Sequence, residues 1–432
     1  MCSRPKSKSL LAGETILALL VLMFTQISFA SGPVERVIHS FTNSPDGDSP
    51  QAALVADPTG NLYGTTFEGG APSGAGAVFE LSRVTGGGWT EAIIYEFQDT
   101  TSGILPFGTL TFDKLGNLYG TTFGNFSGDG ATVFQLTPPA TPGGAWSESV
   151  LYRFPSGENG SGPIGKVIFD GVGNLYGTTT ERFTGGDPGT VFQLKHPATP
   201  GGSWTYHLLH SFGALGSEDG RGPTTSLVFR NGGLYGTTTF GGTHNAGTVF
   251  QLVPIHGVWG ETILYNFGSS ATDGFFPYGA PIMDGAGNLY GTTNSGGDQS
   301  CDEANGGCGT VFELSPPSTA GDPWQENILY AFKGQGDGKL PTAGVILDKV
   351  GKLYGTASGT IGRPQKPVGV VFQLKPPAVS GGAWTETALH HFSVNGDGSV
   401  PTAEVFLLNG TLYGTTYYGG TNNLGTVYSV VP

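Results

Sequence analysis

The chain has 432 residues, a formal charge of −14 and 75 glycines, yet 11% of it is aromatic. That balance excludes a disordered chain and describes a turn-rich β-protein with apolar mass for a core. The acidity leaves no basic footprint for DNA, RNA or an anionic membrane, and is compatible with solubility or cation binding.

Residues 1–30 read as a signal peptide. Arg4, Lys6 and Lys8 precede an apolar run that is densest from Ile16 to Phe24, and Ser28-Phe29-Ala30 offers small residues for cleavage. The run is too short for a bilayer-spanning helix. Cleavage after Ala30 leaves residues 31–432, with a charge of −16 once Arg4, Lys6, Lys8 and Glu14 are gone. A soluble, secreted chain is expected, in the periplasm or outside the cell.

One tetrapeptide organises the remainder of the chain. Leu-Tyr-Gly-Thr recurs with its tyrosine at Tyr63, Tyr119, Tyr176, Tyr235, Tyr290, Tyr354 and Tyr413, at intervals of 55 to 64 residues. A period of this size marks a repeat architecture, each unit burying its faces against its neighbours. Each unit holds four strand-like segments. Segment a follows a proline and ends near an aspartate, as in Pro341 to Asp348. Segment b is Leu-Tyr-Gly-Thr-Thr. Segment c is Gly-Thr-Val-Phe-Gln-Leu, as at Gly189 to Leu194. Segment d is Trp-x-Glu-x-x-Leu-Tyr-x-Phe, as at Trp259 to Phe267. These runs are β-branched and aromatic and are bounded by turn residues. Seven units of four antiparallel strands predict an all-β, seven-bladed propeller in one domain, 31–432. The glycine of segment b is expected where blade backbones crowd near the axis. A lone segment d, Val34 to Phe41, opens the repeats, and the last unit has only a, b and c. The N-terminal strand should therefore complete the last blade and close the ring, which removes open sheet edges.

These motifs, over residues 34–432, resemble the GloVer tandem-repeat family of secreted bacterial proteins. The resemblance implies a propeller and no established activity. Members often carry a C-terminal surface-sorting anchor. This chain stops at Val431-Pro432, so release into the periplasm or medium is the expectation.

Most recurring polar and aromatic residues read as structural. The six tryptophans all begin segment d. Asp57, Asp113, Asp170, Asp284 and Asp348 recur at the a–b turn, where a carboxylate bonds turn backbone. His39, His210 and His390 stand where other units have tyrosine, and no zinc-ligand spacing occurs in the sequence. The d–a connections hold more interest. Asp46, Asp219, Asp273, Asp337 and Asp397 each begin an Asp-Gly-x-x-Pro turn, with Asn159-Gly160 a softened copy. Antiparallel order puts d–a and b–c loops on one face, so these carboxylates form a ring beside variable, glycine-rich loops. Asp46-Gly47-Asp48 places two carboxylates two residues apart, which Ca²⁺ uses together with backbone carbonyls. No loop completes a calcium consensus, and the plain inter-blade turn is the preferred reading, with calcium the alternative. The same face carries Phe67, Phe123, Phe126, Phe183, Phe240, Tyr417 and Tyr418, with Phe275, Phe276 and Tyr278 in a d–a loop. Aromatics beside carboxylates suit sugar binding and loop packing equally.

No catalytic constellation is visible. The expected function is a monomeric binding scaffold for an extracellular glycan or protein, with no cofactor expected and calcium at Asp46 and Asp48 the one metal left open. The alternatives are a carbohydrate-active lyase or hydrolase with its site in the central channel, and a structural cell-surface protein. Cys301 and Cys308 lie in the longest unit, within one b–c loop. They are expected to form a disulfide in an oxidising compartment.

Overall fold

The computed structural model describes residues 33–432, apart from 71–73, 126–128, 142, 156–161, 181–187, 200, 215, 224–225, 302–305, 320, 360–368, 380 and 394–395. The leader read over residues 1–30, and Phe126, Asn159, Gly160 and Phe183, lie outside the described residues.

Seven four-stranded antiparallel sheets form the blades of a propeller, each ordered a-b-c-d. Blade 1 has strands at Val55–Ala56, Leu62–Thr66, Ala77–Arg83 and Trp89–Glu96, and blades 2 to 6 repeat that plan. Blade 7 takes a, b and c from Phe406–Leu408, Thr411–Thr416 and Thr426–Val431, and strand d from Val34–Ser40. The closing pair runs from Val34↔Val431 to Ser40↔Thr426. Helix among the described residues amounts to one 3-10 turn, Gly216–Glu218. No helix among them is long and apolar enough to cross a membrane.

The repeat motif now has a physical account. In Leu-Tyr-Gly-Thr-Thr the leucine is fully buried, and in the five units that have an a–b turn aspartate the tyrosine hydroxyl donates to it, as Tyr119 does to Asp113 at 3.1 Å. The first threonine donates to a strand-a segment of the next blade: Thr292 to the Ala343 carbonyl at 2.7 Å, Thr356 to Ala403 at 3.0 Å, Thr415 to Ala52 at 3.1 Å. The second pairs with the threonine that opens strand c, as in Thr179–Thr190 at 2.7 Å. The glycine serves a purpose other than the one expected. It faces the phenylalanine of strand c, Gly64 opposite Phe79, and leaves room for that ring rather than for converging backbones. Strand a is also shorter than its segment: only two or three residues join the ladder. Its upper half leaves strand b, and the preceding blade's threonine satisfies its carbonyl.

Strand d carries one bulge per blade opposite the Val-Phe of strand c (Val427-Tyr428 in blade 7), and the leucine or isoleucine before the tyrosine or histidine is the extra residue. The phenylalanine that ends segment d is buried and packs edge-on against the strand-c ring of the next blade. Phe97 meets Phe134 at 5.2 Å and Phe332 meets Phe372 at 5.2 Å; Phe41 meets Phe79 at 5.3 Å where the ring closes. Such pairs add about 0.5–1.5 kcal/mol each beyond area burial. The tryptophans are packing residues too, Trp146 against Tyr63 and Trp259 against Tyr176, both at 6.1 Å.

Candidate functional site

The loops fall as the topology requires. Each d–a loop pairs with the b–c loop of the blade it enters: Asp48 with Glu68, Pro106 with Thr122, Ser399 with Tyr418, and Gly274–Phe275 with Ser295–Gly296. One face therefore carries both loop sets. The ring of aspartates lies there, and its carboxylates are held by their own strand d. Asp46 accepts from Thr42 N at 3.0 Å and Thr42 Oγ1 at 2.6 Å, with His39 Nε2 at 3.1 Å. Asp273 accepts from the Tyr265 hydroxyl and from Ser269 N and Oγ, Asp337 from Tyr330 and Lys333 N, and Asp397 from Ser393, with His390 at 3.1 Å. Asp219 is buried, 4.0 Å from His210. Asp48 is buried too, its backbone paired with Glu68. Its carboxylate joins no cluster of three metal-ligating groups among the described residues. The loop aromatics pack on one another, Phe67 on Phe107 at 5.7 Å and Phe240 on Phe276 at 5.6 Å. Phe275 adjoins Phe276 at 6.3 Å, and Tyr417 meets Tyr418 edge-on at 4.4 Å. Tyr278 and Tyr418 remain 36% and 39% exposed.

Two features are not evident from the sequence alone. The first is the glutamate of Trp-x-Glu. Glu91, Glu148, Glu326 and Glu386 are pushed up to about 7, and Glu261 to about 8. Glu35 in the closing strand is also raised to about 7. Burial is the main cause. An aspartate from the preceding connection adds to it for five of them, Asp46 beside Glu91 and Asp273 beside Glu326 for example. At Glu148, Arg153 and a bond from Tyr95 oppose the rise. A buried oxygen of each of the six lacks a hydrogen-bond partner. The signal in the sequence was a charge kept in a strand that packs between blades.

The second feature is on the channel wall. Strand-a segments of neighbouring blades touch one another, so they line the axis: Thr109 Oγ1 accepts from Ala53 N at 3.1 Å and Ser226 Oγ from Lys166 N at 3.0 Å. The third residue after the proline is Ala53, Thr109, Ser226, Ala280 or Gly344 in five blades, and Lys166 and Glu404 in the other two. These two are the charged residues of that ring, and each senses the other. Burial lowers the Lys166 ammonium, which Glu404 partly offsets. Burial raises Glu404 to about 7 against the pull of Lys166. A carboxyl poised there exchanges a proton near neutrality. Aligning segment a across the seven units would have exposed the pair.

A family profile, the Gloeobacter/Verrucomicrobia repeat, matches residues 140–304 and 300–432. This chain belongs to that family. Among solved structures, the repeat protein resembles PorZ, described as an essential surface component of the type-IX secretion system of Porphyromonas gingivalis. The identity is 14% and the TM-score 0.49, over 91% of this chain and 48% of that one. It thus spans about half the length of PorZ. An α-L-arabinanase from Penicillium chrysogenum gives 13% and 0.44, over 92% and 97%. A Trichoderma reesei carbohydrate-active enzyme of family AA12 gives 14% and 0.41, over 93% and 96%. No curated protein sequence matches the repeat protein.

Proposed function

We propose that this family member is an exported binding propeller that takes an extracellular glycan or protein at its loop face, over the mouth of the channel. The carrying observation is where the repeat breaks: one ammonium and one carboxyl, Lys166 and Glu404, stand on a wall otherwise uncharged at that level. Repeated residues serve the blades, whereas a ligand site needs its chemistry once. The exposed rings of Tyr278 and Tyr418 on the same loop face offer stacking surfaces beside polar groups, as sugar sites do. Export is supported by the leader-like residues 1–30 and by the disulfide between Cys301 and Cys308. Glycan and peptide arrays probed with the purified chain test the reading. Lys166→Met, Glu404→Gln and Tyr278→Ala should each weaken a hit at least tenfold, while Val350→Ala, at an a–b turn, leaves it unchanged. Equal binding by all four variants refutes the site.

A second reading rests on Glu404. A carboxyl raised to about 7 and coupled electrostatically to an ammonium on the same wall suits general acid–base work on a glycan, as a lyase or hydrolase requires. Release of reducing ends from a bound polysaccharide, abolished in Glu404→Gln, would select this reading. Binding without turnover would select the scaffold.

A further inference from the structure

We propose that a divalent transition-metal ion of the zinc type binds between blades 3 and 4 on His210, Asp219 and Glu261, and a second between blades 6 and 7 on His390, Asp397 and Glu35. In each set the imidazole ends strand d of one blade, the aspartate opens the following d–a connection, and the glutamate comes from strand d of the next blade. One imidazole nitrogen and two carboxylate oxygens lie within 4.8 Å of one another in both sets. His210 Nε2 is 3.5 Å from Glu261 Oε2 and 4.0 Å from Asp219 Oδ1. In the second set His390 Nε2 is 3.1 Å from Asp397 Oδ2. A tetrahedral ion with ligand bonds near 2.1 Å holds its donors about 3.4 Å apart, so the three pairs just given lie within tenths of an ångström of that spacing and the remaining carboxylate oxygens, all inside 4.8 Å, have to close in.

The independent sign of a ligand is unused bonding capacity. The Glu261 side chain is 2% exposed, and neither of its oxygens accepts from a donor; the polar neighbour it does have, Asp219, is itself a carboxylate, so the pair presents acceptors to one another. The buried His210 Nε2 finds no hydrogen-bond partner, which makes the first set the stronger; in the second, Glu35 Oε1 is unpartnered as one oxygen is in every glutamate at this place, and the imidazole is what sets it apart from the other blades. Buried carboxylate oxygens without partners are destabilising, and a cation removes that penalty directly. Two carboxylates balance the charge of a dication, and an imidazole selects zinc-like ions over calcium. The other blades supply the comparison. Tyr265 and Tyr330 occupy the histidine position in blades 4 and 5, and their hydroxyls donate to Asp273 at 3.2 Å and Asp337 at 2.8 Å. A phenol closes that contact with a proton. An imidazole there supplies a coordinating nitrogen instead. His39 rests on Asp46 at 3.1 Å, and no third donor joins them within the same span among the described residues.

The test uses the untagged full chain, stripped with EDTA and dialysed against Zn²⁺. Two ions per chain are expected by elemental analysis, one in His210→Tyr and none in His210→Tyr/His390→Tyr. Tyrosine is the residue that other units carry at this place, so these variants should fold. Circular dichroism and the metal-free melting temperature report it. Glu261→Gln, nearly isosteric, should weaken Zn²⁺ at the first site at least tenfold and serves if the tyrosine variants misfold. Zn²⁺ should raise the melting temperature of the parent and not of the double variant. A chain that retains no Zn²⁺, or a folded double variant that binds as much as the parent, overturns the proposal.

Discussion

Gly64 lies opposite Phe79, and a Cβ on Gly64 would come within 2.5 Å of the Phe79 ring and 2.9 Å of Leu54 Cδ2. The ring is fully buried and cannot retreat. Gly64→Ala should therefore destabilise by about 1–3 kcal/mol through overpacking. Gly60 gives the control: it has φ +93° and nothing within 4 Å, so Gly60→Ala pays only for its backbone conformation, about 1 kcal/mol. Urea titrations of both variants measure the difference. A Gly64→Ala chain as stable as the parent would show that the ring has somewhere to go.

Removing residues 34–41 should leave blade 7 with three strands and strand c of that blade with an open edge. Phe41 goes with it, and with Phe41 the contact that joins blade 7 to blade 1. The expected outcome is a lower melting temperature and concentration-dependent aggregation, read by light scattering. A deletion variant that stays monodisperse and melts with the parent refutes closure.

Stability should fall as pH rises from about 5 to 8. Glu91, Glu148, Glu326 and Glu386 sit near 7 in the folded chain against 4.5 for an ordinary glutamate. The folded state thus holds more protons over that window. Their contribution is complete below 4.5 and is lost as pH passes 7. His39, His210 and His390 act in the opposite sense, since burial lowers each pKa and favours folding towards higher pH. The raised carboxyls outnumber them once Glu35 and Glu261 are included. In the EDTA-stripped chain a Tm drop of several degrees between pH 5 and 8, reduced in Glu326→Gln, is expected. A Tm that rises across the window sinks the account.

Breaking the disulfide should cost about 2–3 kcal/mol, the loop-closure entropy of so short a ring. Cys308 is fully buried against Phe332 and Ala357, so the bridge ties the longest b–c loop to the core. Thiol titration of the denatured, unreduced protein should find neither residue free, and Cys301→Ser/Cys308→Ser should melt earlier than the parent. Two free thiols in exported protein would contradict it.

The blades were legible because their chemistry repeats. Tyr119 reads as a strand residue from its tetrapeptide alone, and seven copies turn a motif into an architecture. Closure was legible from a segment d at one end and a missing one at the other. The Cys301–Cys308 pair was legible from spacing in an inserted loop. Glu261 was not, because the aspartate and histidine beside it belong to the preceding blade and lie some forty to fifty residues back in the chain. Lys166 and Glu404 were hidden for a related reason. They are 238 positions apart, and they stand out only once the seven units are laid over one another, since both fall in one column of segment a. Side chains repeated in every unit announce themselves in sequence, while a site made once by different blades appears only when the circle is drawn.

Pairing of Val34–Ser40 with Thr426–Val431 also fixes an order of events. The first strand of the propeller finds its partner only in the last, whereas every other blade is built from strands close in the chain. An interrupted chain, lacking its final strand, has nowhere to dock that first strand and keeps an open ring. Closure of the ring therefore needs both ends of the propeller at once, a pairing of the highest sequence separation in the fold and so an intrinsically slow one.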